Sequence, residues 1–438
     1  DMTPRPGLKA LKYYHQYVKV EAENLEEGTI KITNRYDFST LDDKLSGRWE
    51  LLENGRVIDQ GQINGLDIEA YEERSIRLPY TQNGFTDSSE YHLNVIFELK
   101  ESTFYASEGY ELAWEQFLLP VSEYARLAEP DTNGDLQPSL NGNHFIVAGD
   151  EFHVVFNRIF GRMESYHIGG EQVILGGPKP DFWRAVTDND RAALRSGEYR
   201  DMMVWRGAHH GIVRSFLVNG ERINPDDFNR VDPMNKITVD IQTEHPAVDA
   251  TVTTVYEIYP NGSVDVTTNY KPASGTSAFR LMPRFGNQLE LSPGFEVMEW
   301  YGRGPNPTYA DRKTERVGVY QSTVSDEWIE YSKPMENGNK EDLRWIEFKN
   351  DRGKGVRFTA DSVVSASASH YHRDDMERSR YTWQMEKRKS FYVNIDYRQM
   401  GVGGINSWSP RALPEPGFRV LNRPMEYTYR ITPIHKDK

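Results

Sequence analysis

Phe391-Tyr392-Val393-Asn394-Ile395-Asp396-Tyr397, followed two residues later by Met400-Gly401-Val402-Gly403-Gly404-Ile405-Asn406-Ser407-Trp408-Ser409-Pro410, sets the reading of the whole chain. The first run alternates apolar and polar side chains, the period of a strand with one buried face. The second places three glycines in four positions, so its backbone can take positive φ or approach other groups closely. It carries one large aromatic, Trp408, between two serines and ahead of Pro410. A strand thus feeds a glycine-rich loop that holds out an indole. Such an indole either plugs its own sandwich or offers a flat apolar platform to a ligand.

Working outward, the surrounding sequence is strand-rich. Val252 to Ile258 and Val264 to Thr268 alternate on either side of Asn261-Gly262, a hairpin signal. Gly355 to Phe358, Val363 to Ala368 and Glu426 to Ile431 read as further strands. Short helices are expected only around Asp188 to Glu198 and Lys340 to Asp342. A nearly all-β stretch from 143 to 438 must stack two large sheets, because twisted open sheets rarely exceed ~10 strands. Upstream, residues 1 to about 20 read as a linker settling into a strand, since Pro4, Pro6 and Gly7 discourage regular structure. Thr29 to Asn34, the pair Trp49–Leu52 and Arg56–Ile58 around Asn54-Gly55, Ser75 to Leu78, Tyr91 to Leu99 and Leu112 to Leu119 follow as short strands. That count and spacing predict an immunoglobulin-like sandwich. The fold class is therefore all-β: an immunoglobulin-like β-sandwich over 1–125, a linker over 126–142 and a large β-sandwich over 143–438.

Composition narrows the function. At 438 residues the chain exceeds what one core usually serves, ~250–300 residues, which favours two domains. Its 25 tyrosines and 9 tryptophans suit β structure and carbohydrate contact alike. Lys and Arg number 52 against 66 Asp and Glu, a net charge of −14, which argues against nucleic acid as a partner. No apolar run approaches the ~20 residues of a membrane span and no charged-then-apolar leader opens the chain, so no membrane partner is expected. With no cysteine, disulfides, thiolate zinc sites and cysteine nucleophiles are excluded. The compartment stays open between cytoplasm and periplasm. A start at Asp1-Met2 rather than at methionine suggests a processed product with something missing upstream.

Several side-chain groups invite a chemical reading. His209-His210 is poor for metal, because on a strand adjacent rings face opposite ways and on a helix they lie ~100° apart. His370-Tyr371-His372 would share one strand face, yet a third ligand has no visible candidate, and no metal site is expected. Asp188-Asn189-Asp190 reads as a polar loop or helix cap and lacks the glycine and terminal glutamate of an EF-hand. Glycoside hydrolysis needs two carboxylates across a scissile bond, and 66 acidic residues give no way to choose a pair. Nor does an alternating βα pattern offer a (β/α)8 barrel to carry them.

Taken in order, Phe182-Trp183-Arg184-Ala185 with Asp188-Asn189-Asp190, Trp300-Tyr301-Gly302-Arg303-Gly304-Pro305, Tyr309-Ala310-Asp311-Arg312, Pro334-Met335-Glu336-Asn337-Gly338 and Met400-Gly401-Val402-Gly403-Gly404 through Trp408-Ser409-Pro410 resemble the last domain of the large bacterial β-galactosidases of glycoside hydrolase family 2. Asp1 to Pro6 and Trp114-Glu115-Gln116-Phe117 are similar to the exit from that family's catalytic barrel and to the end of its second immunoglobulin-like domain. The resemblance spans the chain and implies a galactose-mutarotase-like supersandwich for the large domain. It also implies that Trp408 stacks on a β-galactoside, with Asn406, Asp188 and Asn189 as further substrate-binding residues. Arg191 to Arg200 resembles the family's mobile active-site loop, with Ala192 where glycine is common. Asn306-Pro307-Thr308 departs from the family's usual Gln-Glu-Asn.

By the same resemblance the nucleophile and acid/base glutamates lie on the barrel, so no catalytic residue is expected here and the chain alone should be inactive. No cofactor is expected either, the family's divalent and monovalent metal ions being bound on the barrel. The partners implied are the sugar and the catalytic barrel of the same parent chain, with a homo-oligomer of the parent left open. Two other readings stay open. One is a stand-alone mutarotase-like enzyme using His370 or His372 as acid and Glu336 as base. The other is a purely structural or assembly module.

Overall fold

A computed structural model describes residues 3–82, 84–120, 127–193, 201–223, 234–273 and 280–435. The chain separates into two compact units: Asp1–Ala125 with Tyr301–Asn306 and Thr314–Tyr320, and Arg126–Trp300 with Pro307–Lys313 and Gln321–Lys438.

The first unit is a sandwich of two antiparallel sheets. Val18–Asn24, Thr29–Asn34 and Glu73–Arg77 form a 3-stranded sheet. Leu45–Glu53, flanked by Arg56–Ile63 and Tyr91–Leu99 and extended by Glu111–Leu118, forms a 4-stranded one. Every second residue along several of these strands builds the core: Val18, Val20, Ile30, Ile32, Trp49, Leu51, Leu93, Val95 and Phe97 pack in one buried cluster. Asn54 and Gly55 both take positive φ, 47° and 78°, as the tight hairpin between the first pair of strands in that sheet demands. Tyr301–Asn306 and Thr314–Tyr320 are held by the sheet edge, where Gln116 exchanges two 2.8 Å hydrogen bonds with the Val317 backbone. Residues 6–14 depart from the expected linker. Pro6–Tyr14 is a helix, because a proline at the first helical position lacks only an N–H that would be unpaired anyway.

In the second unit one hydrogen-bonded strand network runs from Gln137–Asn141 to Met425–Ile434 and closes on itself. The long strand Gly355–Ser369 explains the closure. Its first half pairs with Met425–Ile434 and its second half with Phe391–Gln399, so one long strand bridges two neighbours and closes the network. The expected strand Phe391 to Tyr397 is present and lies between Gly355–Ser369 and Arg284–Leu291. Gln137–Asn141, read as connection, is instead a strand paired with His144–Ala148, since Asn141-Gly142 makes a hairpin turn with Gly142 at φ 58°. Lys340 to Asp342, read as helical, opens the strand Lys340–Lys349. Burial decides that segment: Lys340 lies over the Trp300 ring, 4.8 Å from its centroid, and its ammonium pairs with Glu327. Asp188–Ala193 is helical, while 194–200, with most of the expected mobile loop, lies outside the described residues.

Beneath the last strands of this unit sits a buried ionic cluster. Arg284 lies 2.9 Å from Asp396, 3.3 Å from Glu336 and 3.6 Å from Asp181. Burial alone would raise the Asp181 carboxyl, but the Arg373 and Arg284 charges hold it well below the usual carboxylate range.

Candidate functional site

Phe182, Trp183, Arg184 and Ala185 are all buried. A guanidinium shut away from water needs fixed acceptors for its donors. Arg184 forks onto Asp190, with Nε and Nη2 donating at 3.1 and 2.9 Å. Its remaining donors reach the loop entrance: the Gly401 carbonyl at 2.8 Å, Gln399 Oε1 at 3.3 Å and the Met400 carbonyl. Asp190 is fixed in turn. It accepts the Thr187 amide at 3.0 Å, and its own amide donates to Thr187 Oγ1 at 3.1 Å, a reciprocal cap on the helix Asp188–Ala193.

A second carboxylate holds the loop from Tyr309-Ala310-Asp311-Arg312. Asp311 accepts the Val402 amide at 3.1 Å and the Gly403 amide at 2.6 Å. Here the glycines act through space rather than through φ. None of Gly401, Gly403 and Gly404 is among the residues with positive φ. A Cβ on Gly401 would sit 2.5 Å from an Asp311 oxygen, and one on Gly404 would sit 2.4 Å from the Ala412 carbonyl oxygen.

Inside the loop Asn406 Oδ1 accepts three bonds, from the Trp408 amide at 3.1 Å, the Ser409 amide at 3.0 Å and Ser409 Oγ at 3.1 Å. Ser409 Oγ accepts the Arg411 amide at 3.2 Å, and Ile405 donates to the Arg411 carbonyl at 2.9 Å. Asn189 Nδ2 ties this knot to the helix by donating to the carbonyls of Asn406, at 3.3 Å, and Ala412, at 3.2 Å. What emerges is a fixed backbone with an unanchored indole: Trp408 is 78% exposed. The plug alternative fails on that number.

Of the expected site residues, Trp408, Asn406 and Asn189 therefore belong to one hydrogen-bonded assembly. Asp188 is its neighbour in the chain, paired with Arg191 at 2.9 Å and two-thirds exposed at its side chain. Arg191 also donates to the Pro334 carbonyl at 3.3 Å, and the Glu336 amide to the Ala185 carbonyl at 3.2 Å, which joins the Pro334–Gly338 motif to the same assembly. Of the motif beginning at Trp300, residues Tyr301–Asn306 belong to the first unit instead. Sequence reasoning missed the part that Arg184 and Asp190 play in fastening the loop, while a loop-fixing aspartate is legible in Tyr309-Ala310-Asp311-Arg312. For Arg184 the available signal is a charge set inside an otherwise apolar motif, Phe182-Trp183-Arg184-Ala185.

The histidines do other work. His209 and His210 lie at a turn after the 3-10 segment Asp201–Gly207, with rings 4.0 Å apart rather than on opposite faces, and burial pushes His209 down to about 4. His370 and His372 do not share a strand face, because the strand ends at Ser369 and His372 caps the helix Arg373–Arg378. His370 lies against Glu296 at 2.8 Å, while Glu336 is taken by Arg284 and Gln399. The acid and base of an epimerase reading are thus each engaged elsewhere. Among the described residues no cluster of three His, Asp or Glu side chains is arranged to hold a metal.

Two family models match the chain: "Beta galactosidase small chain" over residues 148–431 and "Beta-galactosidase, domain 4" over residues 30–120. A curated β-galactosidase of Priestia megaterium is 28% identical over 99% of this chain and 40% of its own length. One from Halalkalibacterium halodurans is 26% identical over 93% of this chain and 38% of its own. The chain thus spans about two-fifths of the length of these relatives. A solved GalM/aldose epimerase homologue from C. elegans covers 69% of the chain at 9% identity and a TM-score of 0.33.

Proposed function

We propose, for a chain that belongs to the β-galactosidase small-chain family, that it forms a non-catalytic region of a β-galactosidase and supplies an aromatic wall to the sugar site of the parent enzyme. The observation that carries this reading is a 78% exposed Trp408 on a backbone fastened by Arg184, Asp311, Asn189 and Asn406. An exposed indole ordinarily costs solvation without return, and a rigid mount for it makes sense when something stacks on the ring. Pyranose C–H faces pack on an aromatic plane and leave the ring hydroxyls free for hydrogen bonds. In this reading Trp408 touches the sugar, Asp188 offers a rim carboxylate, and Asn189 and Asn406 set the indole's position. The chain alone hydrolyses nothing, and the barrel of the parent chain supplies the cleaving carboxylates.

The test is hydrolysis of a β-galactoside by the parent enzyme carrying Trp408→Ala. Covering about 80 Å² of indole face at ~25 cal/mol per Å² amounts to about 2 kcal/mol, or about thirtyfold in affinity. KM is expected to rise on that scale. Unchanged KM and kcat would remove Trp408 from the site.

A further inference from the structure

A cavity of about 350 Å³ opens on the second unit, at the lower end of the ~300–1,000 Å³ range of small-molecule sites. It is lined in part by Lys313, Glu341, Ser365, Tyr397, Gln399 and Phe418. Three features mark it as built rather than incidental. First, the strand Lys340–Lys349 slips register against its neighbour between Lys340 and Leu343, and Asp342 there takes φ 54°, a left-handed conformation that a side-chain-bearing residue adopts at a cost. A bulge of this kind re-aims side chains. Second, Glu341 is turned inward and almost fully buried at the cavity wall, accepting from Asn339 Nδ2 at 3.0 Å with Lys313 Nζ 3.5 Å away. Burial pushes its carboxyl up to about 7. Third, Ser365 Oγ is buried at the wall and, among the described residues, has no hydrogen-bond partner. That hydroxyl is shut off from the solvent in the cavity, so Ser365 closes the wall rather than offering a contact.

The lining selects the ligand class. Lys313 would repel a metal cation, and Glu341 with Asp342 disfavours a multiply charged anion. The lining instead offers both donors and acceptors, with Tyr397 and Phe418 among the lining residues. Hydroxyls that both donate and accept, carried on a small ring with apolar C–H faces, match that wall. We propose that this cavity is a second sugar site on the sandwich, taking one neutral monosaccharide-sized polyol held by Glu341 and Lys313. It is independent of Trp408. It does share a wall with the loop's anchor, because the Gly401 amide donates to the Phe418 carbonyl at 2.9 Å and Gln399 accepts from Arg184.

D-galactose titrated into the 438-residue chain, followed by ligand-observed saturation-transfer NMR, tests this. Trp408→Ala removes the loop's contribution and is expected to retain saturable binding. Adding Lys313→Met, or Val363→Trp to fill the cavity mouth, is expected to weaken that binding at least tenfold at an unchanged thermal midpoint. Two variants are used so that a failure of one to fold leaves the other as the reading. The proposal is overturned if Trp408→Ala alone abolishes binding, if no saturable binding occurs, or if folded cavity variants bind as Trp408→Ala does. Loss of the Trp408→Ala effect in the parent enzyme would instead count against the aromatic wall and leave the cavity untouched.

Discussion

Glu341→Gln is expected to flatten the pH dependence of stability between about pH 5 and pH 8. Burial is the largest influence on this carboxyl and raises it from 4.5 to about 7, with Asp342 adding to the rise and Lys313 and Asn339 opposing it. A raised carboxyl means the folded chain prefers the neutral acid. Its contribution to stability is therefore complete below about 4.5 and is lost as the pH rises through about 7. The difference between those two values, at ~1.36 kcal/mol per pH unit, comes to about 3 kcal/mol by pH 8. Glutamine keeps the shape and an acceptor for Asn339 but does not titrate. Other buried carboxyls remain in both proteins and cancel in the comparison. In urea unfolding followed by circular dichroism, a slope of ~1–3 kcal/mol per molar converts 3 kcal/mol into a midpoint change of about 1 M or more. The variant should gain that much on the parent chain between pH 5 and pH 8. Parallel curves would refute the argument, and would mean that water reaches Glu341 and that the cavity is more open than its wall implies.

Arg184→Met should cost about 3–5 kcal/mol in the same unfolding assay, since it strands the Asp190 charge in a site that is 2% exposed. The double variant Arg184→Met/Asp190→Asn should recover part of that loss, and no recovery would mean that the carbonyl bonds to residues 400 and 401 dominate. Gly404→Ala places a methyl 2.4 Å from the Ala412 carbonyl oxygen and should move the loop, lowering the parent enzyme's sugar affinity toward that of Trp408→Ala. Full affinity there would show that the loop's shape does not position the indole. Trp408→Ala itself should leave stability within about 0.5 kcal/mol, because the side chain is mostly in water. A loss of several kcal/mol would bring back the plug.

Features encoded locally are legible in the amino-acid order alone. Alternation in Thr29–Asn34 and Ala250–Ile258 decides which face each strand buries, and Asn54-Gly55 decides where a hairpin turns. These signals need only neighbours in the chain. The same locality limits it: Pro4, Pro6 and Gly7 suggest a linker although proline suits the first helical position, and Lys340 to Asp342 suggests a helix although burial makes it a strand. Trp408 was legible as exposed or buried but not which. That choice rested on Arg184 and Asp311, which reach the loop from 216 and 91–92 residues away in sequence. The glycines show the division most clearly. Their clustering announced a special backbone, while the reason for it, an aspartate oxygen and a carbonyl where a Cβ would stand, exists only once distant strands have packed. Glu341 is similar, an ordinary acid in sequence whose chemistry comes from the bulge and the burial around it. Desolvation and close approach are properties of packing, and packing is decided by the tertiary structure.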